Sequence, residues 1–391
     1  MKMGKNAIVY FISELALKAI PFLMLPFVTS FLSNGEYGIL NLLLSINEFI
    51  VILIAFSMPI YLKLKFQVFP RDRLLFQCIS IMAMMFFLVF LVYTLIYFSR
   101  KIDGLLWYLP LFSFFQVLYL TVVAYYQSEE KFVKLVKVNV FVSLCSVCIT
   151  VFILLDGGRV EGRLVGIFIP YIIAFIAFAY VEKIKFKRNY ECIRKKELLK
   201  FGSSLLPSNL SWWFKGGYDK VFLAQALSFS EVGLYSLAFQ ITSIFPVLVN
   251  VVNQVLLQKF YKLYRDDRAK AKRLTVSCIL ASTALALVLA ILLPYCGYFF
   301  ERSFSGSMAL IPWFILAFWA HALVVYLSNW LIVTENNSFL SFSSFFSIVI
   351  YVALINILFP KLGILAPIVS SFVSNAILSF TIFLRVVRGK N

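Results

Sequence analysis

Charge is what this chain has least of. Asp, Glu, Lys and Arg supply only 14% of its 391 residues, against roughly 25% in ordinary soluble domains. With 62% hydrophobic residues and a mean hydropathy of +0.92, too little polar surface remains to cover a water-soluble globule. Histidine occurs once, which removes a clustered histidine metal centre. The six cysteines (Cys78, Cys145, Cys148, Cys192, Cys278 and Cys296) lie mostly in apolar runs or in a basic loop, where a disulfide framework is not expected. Cys145-Ser-Val-Cys148 has redox-motif spacing but no thioredoxin-like pattern around it, so it reads as two buried, inert thiols. A Walker-type phosphate loop and a nucleophile motif are both missing. Any pump built on this chain is therefore expected to draw on an ion gradient, with H+ and Na+ the candidate coupling ions, or on its substrate's own gradient, and to need no cofactor. A cleavable signal is also not expected, because the first apolar segment carries Glu14 and Lys18 and ends in no small-residue site.

What is present is a succession of apolar stretches, each near the ~20 residues that cross a bilayer as a helix. Twelve are predicted, at 7–32, 39–62, 77–98, 105–127, 138–155, 164–181, 199–226, 232–257, 274–297, 308–333, 339–359 and 363–384. The fold class is therefore all-α and integral to a membrane. Lys and Arg total 36 against 18 Asp and Glu, a balance that elsewhere points to nucleic acid. Their distribution excludes nucleic acid as a partner: 27 fall in the tails and even-numbered turns, 6 on the opposite side (Arg100, Lys101, Arg159, Arg163, Arg302 and Lys361) and 3 within spans. Such asymmetry is the positive-inside rule and puts both termini in the cytoplasm. Basic loops of this kind also attract the anionic head groups of membrane lipids.

The chain repeats itself. Residues 32–46 (LSNGEYGILNLLLSI) align with 227–241 (LSFSEVGLYSLAFQI) at a constant offset of 195, with six of fifteen positions identical. Both copies join the first and second spans of a six-span half on the outer side, and equal orientation means a parallel repeat about an axis along the membrane normal. The basic stretch 182–200 lies at the midpoint, dividing the chain into lobes 1–190 and 191–391.

Polar residues form stripes within the spans. Span seven sets Ser204, Ser208, Ser211, Lys215 and Asp219 on one helical face, and span eight does so with Ser236, Gln240, Ser243, Asn250 and Gln254. Span two adds Asn41, Ser45 and Glu48, and span ten adds His321, Ser328 and Asn329. Single Ser and Asn residues read as hydrogen-bonded contacts between helices. Ionisable groups at membrane depth cost ~2.5–3.5 kcal/mol each on insertion scales and normally face a bundle interior or a wet cavity. The candidate cavity residues are accordingly Glu14, Lys18, Glu48, Lys215, Asp219, Lys220, Gln240, Asn250, Gln254 and His321. Glu14 with Lys18, and Lys215 with Asp219, have the i, i+4 spacing of mutually neutralising pairs. Lys220 is rotated about 100° from Asp219, which leaves it either lining the cavity or reaching outward. Pro21, Pro26, Pro207 and Pro246 permit kinks, and Gly216-Gly217 adds a soft point beside the charged turn.

The stretch Leu198-Leu-Lys-Phe-Gly202 with Leu206-Pro207, followed by Asp219-Lys220 and Val232-Gly-Leu-Tyr-Ser236, resembles the Wzx-type O-antigen flippases. These form the polysaccharide transporter branch of the multidrug/oligosaccharidyl-lipid/polysaccharide (MOP) exporter superfamily. Lys18-Ala-Ile-Pro-Phe-Leu-Met-Leu-Pro26 with Glu36-Tyr-Gly38 is similar to that family's first-span signature. The resemblance implies a MATE-like bundle of twelve helices in two lobes, seated in the bacterial inner membrane. It implies a flippase, not an enzyme, that moves undecaprenyl-pyrophosphate-linked oligosaccharide across by alternating access. Polysaccharide polymerase machinery is the further partner it suggests, and central lysines would meet the pyrophosphate. Three rivals stand beside this reading. A MATE-type exporter of small cations would use Glu14 and Glu48. A lipid II flippase is expected to carry two extra helices. A polysaccharide-modifying membrane enzyme would need a sizeable outer loop or His321.

Overall fold

A computed structural model describes residues 20, 22–100, 107–184, 195–334 and 336–388, excepting the side chains of 97–100, 208, 211, 212, 258 and 337. The described residues are helical throughout, with no strand. In chain order the helices are α1 (Leu25–Phe31), α2 (Asn34–Ala55), α3 (Met58–Lys65), α4 (Arg71–Arg100), α5 (Leu109–Ser128), α6 (Phe132–Leu155), α7 (Val160–Val181) and α8 (Lys195–Gly216). They continue with α9 (Tyr218–Ala226), α10 (Phe229–Thr242), α11 (Ile244–Asp266), α12 (Arg268–Leu292), α13 (Gly306–Val333), α14 (Asn337–Leu362) and α15 (Ala366–Arg388).

Nine described stretches are long and apolar enough to cross a membrane, and the last, Ser338–Arg388, contains both α14 and α15. Ten of the twelve expected spans thus have counterparts. Most of the first expected span, with Glu14 and Lys18, lies outside the described residues. The seventh is interrupted: α8 carries Lys195, Lys196, Glu197, Lys200 and Lys215 and stops at Gly216, and the chain restarts as the short α9.

The chain divides into two compact units, one of Met1–Leu32 with Ile39–Trp213, the other of Ser33–Gly38 with Phe214–Asn391. In the first unit α7 packs on α5 and α6, and α3 on α4 and α5. Close approach of α6 and α7 depends on glycine. A Cβ on Gly162 would press on Ile153, and one on Gly166 would overlap Thr150, the small-residue packing that membrane helices use where apolar burial gives no drive. Helix α4 is covered as far as Met82 and barely beyond it, with Phe87, Leu88, Leu91 and Leu95 all exposed. In a chain of this composition such a surface faces lipid.

One end of the first unit is tied by charge. Lys134 donates to Glu182 at 2.6 Å, Lys131 bridges Glu182 (3.5 Å) and Glu129 (2.5 Å), and Arg71 reaches the Tyr125 hydroxyl and the Glu182 carbonyl. Burial pushes the Glu182 carboxyl upward, but hydrogen bonds and charge from Lys134 and Lys131 outweigh it and leave the group below its ordinary value of 4.5. In the second unit α15 packs on α13 and α14, and α13 also receives α10, α11 and α12. Phe260, Ala271 and Trp330 form one buried cluster there, and Leu331, Leu378 and Ile382 another.

Two outcomes are expected. Gly166→Val overfills the α6–α7 contact and should destabilise the first unit by about 1–3 kcal/mol, read as a lower melting temperature in detergent with membrane insertion retained. The stability supplied by Glu182 is fully present above its unfolded value and is lost as pH falls through the depressed folded value. Glu182→Gln should therefore melt below wild type at neutral pH and converge with it in acid.

Candidate substrate and coupling site

Helix α8 is fixed along its length within the first unit. Gly202 lies so close to Phe56 that a Cβ would overlap the ring, Asn209 Nδ2 donates to Ser57 Oγ at 3.0 Å, and Trp213 Nε1 donates to the Ser45 carbonyl at 2.8 Å. Phe56 and Ser57 are left-handed, at φ 44° and 60°, which separates α2 from α3. Beyond Trp213 the helix continues for three residues and breaks at Gly217.

That break decides the chemistry of the charged turn. Lys215 and Asp219 are four residues apart but belong to different helices, so the expected i, i+4 pair does not form. Lys215 Nζ instead donates to Ser347 Oγ on α14 and to Asn375 Oδ1 on α15, each at 2.9 Å. Ser347 Oγ in turn donates a hydrogen bond to the Ser374 carbonyl at 3.1 Å, and Asn375 Nδ2 lies 3.4 Å from Ser371 Oγ. His321, half-buried on α13, lies within electrostatic reach of Lys215. No carboxylate among the described residues comes within 4.0 Å of the ammonium. Lys215 is thus a half-buried cation held by neutral oxygens.

Asp219 and Lys220 are the opposite case. Asp219 is 2% exposed and Lys220 5%. Asp219 accepts from the Tyr235 hydroxyl at 2.6 Å and from the Lys220 backbone N–H at 2.8 Å. Lys220 Nζ donates to the Gly216 carbonyl at 2.8 Å, sits 3.8 Å from Asp219 Oδ1 and lies 4.2 Å from the centre of the Phe239 ring. Lys220 therefore neither reaches outward nor opens to solvent. It recovers a carbonyl freed by the broken helix and ties α9 to α10.

The remaining candidates separate. Gln240 Oε1 accepts from the Tyr37 hydroxyl at 2.6 Å. Asn250 and Gln254 are exposed on α11, whereas their neighbour Asn253 accepts from Asn329 at 2.7 Å. Glu48 is exposed on α2 in the first unit and acts electrostatically on Tyr171. Among the described residues no three His, Cys, Asp or Glu side chains converge as a metal site. Sequence reasoning missed Ser347 and Asn375. The signal for the latter was present in the small polar run Ser370, Ser371, Ser374, Asn375 and Ser379 on one face of α15. It also placed Arg163 in an outer loop. The residue lies in the first turn of α7, buried, with its guanidinium donating to Thr150 Oγ1 at 3.0 Å.

The family described as polysaccharide biosynthesis protein matches residues 3–263. Two Haemophilus influenzae proteins are similar over 90% of this chain. Lsg locus putative protein 1 is 21% identical, with 90% of its own length covered, and an uncharacterized membrane protein is 22% identical, with 89% covered. Among solved structures, the inward closed conformation of the lipid II flippase MurJ matches 98% of this chain and 87% of its own at a TM-score of 0.71 and 13% identity. An inward-facing multidrug resistance MATE family transporter of the MOP superfamily matches 98% and 93% at 0.66 and 15% identity. The fold is the one these transporters share.

Substitutions should distinguish the two lysines. Asp219→Asn strands Lys220 in a buried site and is expected to cost about 3–5 kcal/mol, seen as a sharply lower melting temperature. Lys215→Met removes a cation that no carboxylate among the described residues compensates and should melt at or above wild type.

Proposed function

This chain belongs to the polysaccharide biosynthesis protein family, and we propose that it flips undecaprenyl-pyrophosphate-linked oligosaccharide repeat units across the bacterial inner membrane. The observation that carries this reading is Lys215, whose ammonium is held by Ser347 and Asn375 with no carboxylate within 4.0 Å among the described residues. A pyrophosphate-linked sugar brings negative charge and many hydroxyls, while its polyprenyl tail stays in lipid. A strongly hydrated point charge on a flexible stem suits the phosphate, and Ser and Asn oxygens around it can exchange protein partners for sugar hydroxyls without stranding a polar group. Low local dielectric strengthens that attraction relative to bulk water.

In this reading two lobes alternate access, with both termini cytoplasmic; the sequence divides them as 1–190 and 191–391, whereas α8 groups with the first unit as far as Trp213. His321 beside Lys215 is the candidate for coupling to H+. Na+ is the other coupling ion the reading allows. Asp219, Lys220 and Tyr235 keep the broken seventh span in shape, a supporting role. The exposed Glu48 on α2 favours a second reading, a MATE-type exporter of small cations, since an unburied carboxylate at membrane depth suits a positive substrate. The transporter family and the transporter folds weigh against a polysaccharide-modifying enzyme.

Deleting the gene in its host and quantifying lipid-linked oligosaccharide on each side of the inner membrane tests the proposal. Accumulation on the cytoplasmic face with loss of surface polysaccharide is expected, and Lys215→Met should reproduce it while inserting normally. Unchanged sidedness with an altered polymer would establish an enzyme, and unaltered polysaccharide would favour the cation exporter.

A further inference from the structure

A small cavity lies among α11, α12 and α13 of the second unit. Its walls are of two kinds. Leu256, Leu274 and Cys278 supply apolar surface, and Asn253, Tyr326 and Asn329 supply polar groups. Asn329 is 7% exposed and Tyr326 4%, and at i, i+3 they share one face of α13. The space admits about one water-sized group and is partly open.

Hydrogen bonding around it is incomplete in a definite way. Asn329 Nδ2 donates to Asn253 Oδ1 at 2.7 Å, which sets two carboxamides head to tail. Asn253 Nδ2 and Asn329 Oδ1 are left over, a donor and an acceptor, and neither these nor the Tyr326 hydroxyl has a partner among the described residues. None of the three is sealed within the packing. Thr275, on the same wall, is the contrast. Its hydroxyl accepts from Trp330 Nε1 and donates to the Ala271 carbonyl, both at 3.1 Å, and is fully used.

A spare amide donor beside a spare amide acceptor is complementary to another amide. We propose that this cavity takes the acetamido group of an N-acetylated sugar. The acetamido carbonyl accepts from Asn253 Nδ2, its N–H donates to Asn329 Oδ1, and its methyl fills the space against Leu256, Leu274 and Cys278. A lone water would satisfy the carboxamides but gain nothing from that apolar wall. Asn250 and Gln254 share the face of α11 with Asn253 and are exposed, so their carboxamides can serve the hydroxyls of the same sugar. The basic turn 258–273 adjoins this end of the helices, the cytoplasmic side by charge asymmetry, where a lipid-linked sugar is loaded. The inference rests on the flippase reading only for the sugar that carries the group.

Full-length protein in nanodiscs tests it by saturation-transfer difference NMR, with methyl N-acetylglucosaminide as probe and methyl glucoside as control. The acetyl methyl should receive several-fold more saturation than the ring protons, and methyl glucoside none above empty nanodiscs. Asn253→Leu with Asn329→Leu exchanges a matched polar pair for apolar groups, a change close to neutral for stability, and should abolish the signal at an unchanged melting temperature. Cys278→Met keeps both carboxamides and fills the methyl space, and should abolish it too. No acetyl signal, equal saturation of the two glycosides, or a signal that survives both cavity variants would overturn the inference. A signal lost in those variants, together with unaltered polysaccharide on gene deletion, would keep the site and reject the flippase reading alone.

Discussion

An ion or a bare amide in hydrocarbon must find a partner within the protein, because no water is there to supply one. The arrangement around Gly216 and Gly217 follows from that constraint. Breaking a helix in the membrane frees backbone groups. The Lys220 ammonium returns to the Gly216 carbonyl, Asp219 steadies the ammonium, and Tyr235 steadies Asp219. Lys215, one residue before the break, has the Ser347 hydroxyl and the Asn375 carboxamide as its partners among the described residues. The same break that draws one lysine into the structure thus sets the other apart from it, on neutral oxygens of α14 and α15.

Much of this was legible in the sequence, because apolar run length is a strong signal in membrane chains. The ten spans with structural counterparts and the repeat at offset 195 were read from pattern alone. Helix ends were less visible. Hydropathy starts span six at 164, whereas α7 begins at Val160, so Arg163 looked like a loop charge. The turn at Lys215 was found, but its pairing assumed one continuous helix from 199 to 226. Ser347 and Asn375 could not be assigned from sequence, since each looks like any other interhelical contact until a distant cation is brought to it.

Glycine carries two different tasks here. On α7 it lets a neighbouring helix approach along several turns, and the contact is broad. At positions 38 and 233 it allows a single point of backbone crossing, where a Cβ would overlap the Phe229 and Asn34 carbonyl oxygens. The first kind of contact is extended and surrounded by buried side chains such as Leu164 and Leu154. The second lies beside the fully buried Tyr37 and Phe304, whose rings meet edge-on.

Helix α4 has 30 residues, and at 1.5 Å per residue it is about 45 Å long. Hydrocarbon is about 30 Å thick, and a tilt of even 40° would take up only about 39 Å of helix. Part of α4 must therefore stand clear of the acyl chains. Arg71, at its first residue, is moored to Tyr125 and to the Glu182 carbonyl, which fixes the depth of that end. The surplus belongs at that charged end, where Arg71, Asp72 and Arg73 suit the head-group layer, while the exposed Leu91 and Leu95 keep the other end in hydrocarbon.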